Sequence, residues 1–254
     1  MSLLARLAFY LVAALKFGKL GGTLLTMLIA IGAYAITFGW RYAVGIVAML
    51  FLHEMGHYVA ARQRGLRVRL PMFIPFVFAW TTLEDIPHDA ETEAYIGLAG
   101  PLLGTVAAIG AYFLAQNDDV RWLLAVSYTG FVLNLVNLIP LPPLDGGRVT
   151  AVLSPRIWLL GVPIIGALLV WHFSVILVVV AVFAVPHVLA ALRFDPKDPA
   201  NARYYSVVSP RVRWEYGLLY IGLVAFLAYM SNDVNEQLHP SQRPQVEDTQ
   251  VDNV

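Results

Sequence analysis

Hydrophobic residues run through most of this chain in long stretches that short polar segments separate. A helix that crosses a bilayer needs about 20 predominantly apolar residues. The pattern therefore predicts an all-α polytopic membrane protein with about six to seven transmembrane helices. The predicted spans are 21–40, 42–61, 94–116, 121–139, 156–172, 174–193 and 213–231. For the fifth and sixth of these, a re-entrant hairpin is the alternative.

The remaining segments complete the predicted organisation. Residues 1–20 contain a short apolar stretch that predicts an interfacial or short membrane helix, which we expect to be retained rather than cleaved. Residues 21–193 form the predicted core. Residues 194–231 are predicted to be a cytoplasmic linker and the last transmembrane helix, and the acidic residues 232–254 a disordered polar tail.

The segment between the second and third spans, 62–93, does not follow the helical pattern. Residues 66–70 alternate apolar and charged side chains, as a strand does. Residues 71–80 are strongly hydrophobic, yet their two prolines oppose a helix. Non-helical backbone at membrane depth is tolerated only where protein or a wet cavity covers it. We therefore expect a membrane-entering β-hairpin beside the second span, with an interfacial loop as the alternative.

Composition agrees with a membrane protein. Hydrophobic residues make up 59% of the chain and charged residues 13%, against about 25% charged in soluble domains. The net charge of zero argues against a nucleic-acid surface. Because the chain has no cysteine, a thiolate metal ligand is excluded.

The distribution of basic residues predicts the orientation. With seven spans, fourteen Lys and Arg fall on one side, and only Arg41, Arg121 and Arg243 fall on the other. Cytoplasmic loops carry the excess of Lys and Arg. We therefore expect a multi-pass protein of the cell membrane whose amino terminus, and the end of the second span that follows residue 57, are cytoplasmic.

Three ionisable side chains interrupt the second span at His53-Glu54-Met55-Gly56-His57. Residues at i and i+4 lie on one helix face, so both histidines can turn a ring nitrogen toward one ion. Glu54 can reach an attacking water without being a ligand, which is the H-E-x-x-H pattern of zinc hydrolases. A charged group at mid-bilayer costs about 2.5–3.5 kcal/mol on insertion scales, so it is seldom there without a use. The pattern indicates an intramembrane metal site; a chance match, or a histidine pair that only ties helices together, is the alternative.

A second polar constellation lies where the fourth span ends. In order, it comprises Asn134, Asn137, Pro140, Pro142, Pro143, Asp145, Gly146 and Gly147. Prolines end a helix, and glycines let backbone approach closely. Asp145 is thus placed level with the two histidines and can complete a His₂-carboxylate zinc site with an open fourth position. Taken alone, Asp-Gly-Gly is an ordinary turn, and the asparagines can serve as interhelical glue.

These motifs together resemble the site-2 protease family of intramembrane zinc metalloproteases. The motifs that match, in the family's order within residues 42–150, are the His53-to-His57 motif, Ala99-Gly100-Pro101 and the segment from Asn137 to Asp145. The resemblance implies one Zn²⁺ per chain, bound by His53, His57 and Asp145. It also implies that Glu54 is the general base and that Asn137 steadies the substrate carbonyl or its oxyanion.

The resemblance implies hydrolysis of a peptide bond in or near the transmembrane segment of a membrane protein or peptide, as in regulated intramembrane proteolysis. The expected partners are that substrate and the lipid bilayer. Control is expected from a membrane partner or from a first cut that trims the substrate, since no stretch is long enough for an attached sensor domain. The oligomeric state stays open. Gly97, Gly100 and Gly104 are expected to serve close helix packing rather than catalysis.

Other interpretations remain at this point. A catalytically inactive scaffold and a transporter that retains a metal site are the non-enzymatic alternatives, although the chain lacks the repeated halves that are typical of transporters. A membrane metalloprotease with a third glutamate ligand is closer, but Glu215 lies at a membrane edge and Glu236 in the tail. His172 and His187 are competitors of Asp145 as the third ligand.

Overall fold

The computed structural model describes residues 19–76, 78–118, 120–205 and 207–240, so the helix predicted within 1–20 falls almost wholly outside the described residues. The described part is mostly helical and contains one pair of short strands. In chain order its elements are α1 (Lys19–Phe38), α2 (Trp40–Gln63), β1 (Met72–Ile74), β2 (Phe78–Trp80), α3 (Ala90–Asp118), α4 (Arg121–Asn137), α5 (Asp145–Ala151), a 3₁₀ helix (Pro155–Leu160), α6 (Gly161–Trp171), α7 (Val175–Leu192), α8 (Pro199–Tyr205) and α9 (Pro210–Leu238).

The first two helices are separated by a single glycine. Gly39 has φ +85°, a left-handed conformation that side-chain-bearing residues rarely adopt. This break ends α1 at Phe38 and lets α2 begin at Trp40. This break agrees with the predicted boundary between the first span, 21–40, and the second, 42–61.

Five helices of the described part are long and apolar enough to cross a membrane: α1, α2, α3, α7 and α9. A mostly helical, multi-pass membrane protein is therefore confirmed. The predicted spans 121–139 and 156–172 coincide with shorter elements, namely the 17-residue α4 and the apolar segment Pro155–Trp171. The exact number of spans stays a prediction.

The core that positions the candidate site is formed by α2, α3 and α4, which pack against one another, with α5 against α3 and α9 against α4. Its largest fully buried side chain is that of Phe131 on α4, which lies in one cluster with Met49 of α2, Ala108 of α3 and Leu227 of α9. In contrast, α1 and α7 are mostly exposed: in the most apolar 18-residue stretch of each helix, only 17% of the residues are buried inside the protein. The apolar surface of those two helices is available to lipid.

The two strands lie in the segment where the sequence predicts a hairpin. They pair antiparallel, with Phe73 opposite Ala79. The pairing resumes closer to the helices, where Arg69 N–H donates to Thr82 O at 3.0 Å and Glu84 N–H to Arg67 O at 2.9 Å. Buried Phe73 packs against α1 and α2. We call residues 67–85 the hairpin; its depth in a bilayer stays a prediction.

The last helix corrects one predicted boundary. The polar tail is predicted to begin at residue 232, but α9 continues to Leu238. The apolar pattern ends near residue 231, whereas the helix continues because it still packs on its neighbours. Val234 is fully buried, and Gln237 donates to Tyr112 Oη of α3. Residues 241–254 lie outside the described part.

Candidate metal centre

The structure brings His53, His57 and Asp145 together in the interior of the protein. The two Nε2 atoms of the histidines are 3.2 Å apart. Asp145 Oδ2 lies 3.1 Å from Nε2 of His53 and 3.2 Å from Nε2 of His57. All three residues are buried. Among the described residues, these are the ones that form a group of metal-ligating side chains close enough to share an ion.

The donor set fits zinc. Ligands about 2.0–2.1 Å from a tetrahedral zinc ion lie about 3.3 Å from one another, so a triangle with sides of 3.1–3.2 Å is close to the required spacing. Two imidazoles and one carboxylate are also a known set of catalytic zinc ligands. The two Nε2 atoms face each other and one carboxylate oxygen, so a cation at their common point would satisfy all three.

Hydrogen bonds at the opposite ring nitrogens hold both histidines in the required orientation. His57 Nδ1 lies 2.8 Å from Ile96 O on α3, and because a carbonyl only accepts, Nδ1 must donate. His53 Nδ1 lies 2.8 Å from Asn134 Oδ1 on α4, which likewise accepts. With the proton on Nδ1, a neutral ring presents the lone pair of Nε2 to the centre, as metal-binding histidines usually do.

Two glycines of α3 make room for these side chains. A Cβ atom at Gly100 would overlap the ring of His57, and one at Gly104 would overlap the side-chain amide of Asn134. The expected role of these glycines in close packing is therefore specific: each admits one polar side chain of the centre. Asn134 is itself anchored, because its Nδ2 donates to Gly130 O at 2.7 Å.

The proline-rich break after α4 positions Asp145. Helix α4 ends at Asn137, and Asp145 is the first residue of the short helix α5. The next two residues pack tightly, since a Cβ atom at Gly146 would overlap Leu138 O and one at Gly147 would overlap Pro142. The Trp158 indole donates to Gly147 O at 2.8 Å. These contacts fix the start of α5 against the end of α4 and thereby place the carboxylate.

Glu54 lies beside the ligands on α2 and is also buried. Its Oε2 accepts a hydrogen bond of 2.7 Å from the hydroxyl of Thr81, the residue that follows β2. The same hydroxyl lies 3.3 Å from Glu54 O. The hairpin thus contacts the predicted general base directly.

The remaining candidate residues are not part of this cluster. Asn137 is half-buried, and its side chain makes no hydrogen bond with the described residues. His187 packs its ring against Trp158 and His172 is exposed at the end of α6, so neither competes with Asp145 here. Glu215 pairs with Arg211, and Glu236 accepts from Asn232. The glutamate-ligand alternative therefore has no support in the geometry.

Two residues of the centre are not predicted by the sequence. The sequence marks Asn134 as an intramembrane amide that can serve as interhelical glue, whereas in the structure it contacts His53. Its spacing of three residues from Asn137 places both on neighbouring helix positions, so the sequence alone does not tell which one faces the histidine. Thr81 carries no signal in the sequence, because its contact depends on how the hairpin folds against α2.

Comparison with known proteins agrees with a zinc site at this position. Residues 41–119 match the model of peptidase family M50, a segment that contains the His53-to-His57 motif but ends before Asp145. A zinc metalloprotease of Methanocaldococcus jannaschii is 32% identical over 111 residues, which are 41% of this chain and 32% of that protein. The Arabidopsis thaliana protein named Probable zinc metalloprotease EGY1, chloroplastic, is 31% identical over 86 residues, or 30% of this chain and 16% of that protein.

Among solved structures, the site-2 protease from Methanocaldococcus jannaschii has a TM-score of 0.44 and 24% identity, covering 66% of this chain and 86% of that one. The chain spans about a third of the length of the first curated relative and less than a fifth of the second. The zinc cofactor expected from the sequence agrees with the family and with the buried His53, His57 and Asp145 group. The match to the M50 model over residues 41–119 and the similarity to named zinc metalloproteases agree with the resemblance to the site-2 protease family that the sequence motifs carry.

Proposed function

We propose that this protein is an intramembrane zinc metalloendopeptidase that hydrolyses a peptide bond in or near the transmembrane segment of a membrane protein or peptide. The observation that carries the proposal is the buried triangle of His53, His57 and Asp145, with sides of 3.1–3.2 Å, next to the carboxylate of Glu54. An ion path or an inactive scaffold has no need for a carboxylate held beside three metal ligands. The protease interpretation uses every member of the cluster.

Each residue has a distinct part in the proposed reaction. When bound, zinc lowers the pKa of a coordinated water toward about 7 and polarises a carbonyl. His53, His57 and Asp145 would hold the ion through two imidazoles and one carboxylate. Glu54 accepts a proton from the attacking water and returns it to the amine that leaves. Asn137, half-buried at the end of α4, is proposed to donate its amide N–H to the carbonyl oxygen as negative charge develops there.

The hairpin is proposed to enter the membrane and hold the substrate in an extended form. A peptide bond inside an intact helix is shielded and hydrogen-bonded, so the substrate segment must unwind before it is cut. A two-stranded sheet has outer edges to which an extended segment can add by backbone hydrogen bonds. Substrates with Gly, Pro or Asn near the cut are therefore favoured, because these residues weaken a helix.

The proposed location is the cell membrane, with the amino terminus and the active-site end in the cytoplasm. This orientation follows from the placement of fourteen of the seventeen basic residues on one side of the predicted spans. The cut is then expected in the cytoplasmic half of the substrate segment. A membrane partner that regulates cleavage is part of the same proposal.

The proposal is tested by comparing membrane fragments, by quantitative proteomics, from cells that express the native chain or its Glu54→Gln form. We expect fragments that end within a transmembrane segment, on its cytoplasmic half, in the native sample alone. The purified protein in detergent should carry about one zinc per chain in both forms, as expected for one three-ligand site. Equal fragments from both forms would refute the protease interpretation, and cuts in the outer half would refute the orientation.

A further inference from the structure

Among the described residues, the hydroxyl of Thr81 makes the hydrogen bond that joins the hairpin to the Glu54 carboxylate. The Oγ1–Oε2 distance is 2.7 Å, a normal length for a hydroxyl that donates to a carboxylate. The Thr81 hydroxyl is the donor and the carboxylate oxygen accepts. Glu54 is 6% exposed and Thr81 is half-buried, so the bond is partly shielded from bulk water.

Thr81 is held in place by the backbone on both sides of it. Strand β2 precedes it, and the second pairing follows it, where Thr82 O accepts from Arg69 N–H at 3.0 Å. On the far strand, Phe73 is buried and its N–H donates to Thr26 Oγ1 of α1 at 3.3 Å. The hydroxyl therefore projects from a paired segment and not from a free loop. A donor fixed in this way can fix the group that accepts from it.

The bond also makes the two carboxylate oxygens of Glu54 different. Oε2 is engaged by Thr81, and Oε1 accepts no hydrogen bond from the described residues, so it stays available to a water at the metal. Without Thr81, the carboxylate could rotate about its terminal torsion, which is broad for a glutamate side chain. Proton transfer needs the base within hydrogen-bond reach of the proton that it takes.

We propose that Thr81 is a positioning residue that orients Glu54 toward the attacking water and thereby links the geometry of the base to the placement of the hairpin. The inference rests on the proposed protease function. A hydrogen bond to a charged group contributes enough to change a rate by about 10–100-fold when it is needed in the transition state. The loss should appear in kcat and not in KM, because Thr81 acts on the base.

The test compares Thr81→Val, which keeps the shape and removes the hydroxyl, with Thr81→Ser, which keeps the hydroxyl. Thr129→Val is the matched control, since the Thr129 hydroxyl of α4 also makes a partly buried bond of 2.7 Å, with Tyr42 Oη of α2, and neither residue belongs to the hairpin. The readouts are kcat and KM on a mapped substrate peptide, zinc per chain, and the affinity for acetohydroxamic acid. This small chelator gives its hydroxyl proton to a neighbouring carboxylate when it binds zinc.

We expect Thr81→Val to lose about 10–100-fold in kcat with little change in KM, to retain its zinc, and to bind acetohydroxamic acid more weakly. Thr81→Ser should restore most of both properties, and Thr129→Val should behave as the native protein. Native kcat in Thr81→Val, or a loss that Thr81→Ser does not restore, would overturn the inference. If Glu54→Gln cleaves as fast as the native protein, the protease proposal itself has failed, which is a different outcome.

Discussion

The metal centre and the stem of the hairpin, which we define as residues 67–69 and 82–85, are both held by polar contacts. The two regions differ in how strongly the loss of one contact should affect the protein. At the centre, His53, His57 and Asp145 are between 3% and 8% exposed, and the partners of the two histidines outside this triangle come from two helices, α3 and α4. At the stem, Arg67–Asp85 and Arg69–Glu84 make ion pairs with N–O distances of 2.7 Å, with both arginine side chains mostly exposed. A buried polar group that loses its partner stays unpaired, whereas an exposed one is solvated by water. The contacts of 2.8–3.2 Å at the centre are therefore expected to matter more than the shorter contacts of 2.7 Å at the stem.

The largest effect is expected where a ligand of the centre is removed. Asp145→Ala leaves two imidazoles for the ion and should lose most of the zinc and all measurable cleavage, because a catalytic zinc site needs three protein ligands. Glu54→Gln should keep its zinc and lose only cleavage. Metal analysis of the purified proteins, with a cleavage assay, separates the two roles. Full zinc in Asp145→Ala together with loss in His187→Ala would reassign the third ligand.

A smaller but clear effect is expected one step away from the ion. Asn134→Leu replaces the amide that accepts from His53 with an apolar group of similar size, so the ring loses the contact that fixes its orientation. Losing such a partner costs about 10–100-fold in metal affinity. Competition with a chelator of known affinity measures this change.

Asn137→Leu is the matched control for Asn134→Leu, since it removes the same amide three positions along the same helix. We expect unchanged zinc affinity and a lower kcat, in agreement with a contact to the substrate carbonyl alone. Equal losses of zinc affinity in the two variants would mean that any amide in this part of α4 supports the centre only through packing.

The contrast between local and tertiary information explains what the sequence predicts. The spacing of His53 and His57 is a property of one helix, and prolines in the sequence predict the helix break before Asp145. These three residues can therefore be selected without a structure. The contacts of Asn134 and Thr81 depend on the rotation of α4 and on the docking of the hairpin. No pattern in the sequence encodes those two quantities.

The same distinction applies to the fold. Hydropathy locates the apolar spans well, and the break at Gly39 coincides with the predicted change of span. It fails at the end of α9, because hydropathy reports where a segment leaves the apolar pattern and not where its helix ends. Contacts such as that of Gln237 with Tyr112 keep the polar end of α9 helical. Gln237 and Tyr112 are 125 positions apart, so a local sequence pattern cannot predict their contact.

The smallest effect is expected at the exposed stem. Hydrogen bonds from the Arg67 side chain and backbone lower the pKa of Asp85 from 3.8 to about 2. A carboxyl whose pKa is lower in the folded protein stabilises it fully above its unfolded pKa and loses that contribution as the pH falls toward the folded value. Asp85→Asn should therefore leave thermal unfolding nearly unchanged between about pH 5 and 8, since water screens this exposed pair. Any difference from the native protein should shrink as the pH falls from about 4 to about 2. Scanning calorimetry in detergent across this range checks the direction. If Asp85→Asn instead unfolds at a much lower temperature than the native protein at about pH 7, the stem depends on this ion pair as strongly as the metal centre depends on its buried contacts. The contrast between the two regions would then be wrong.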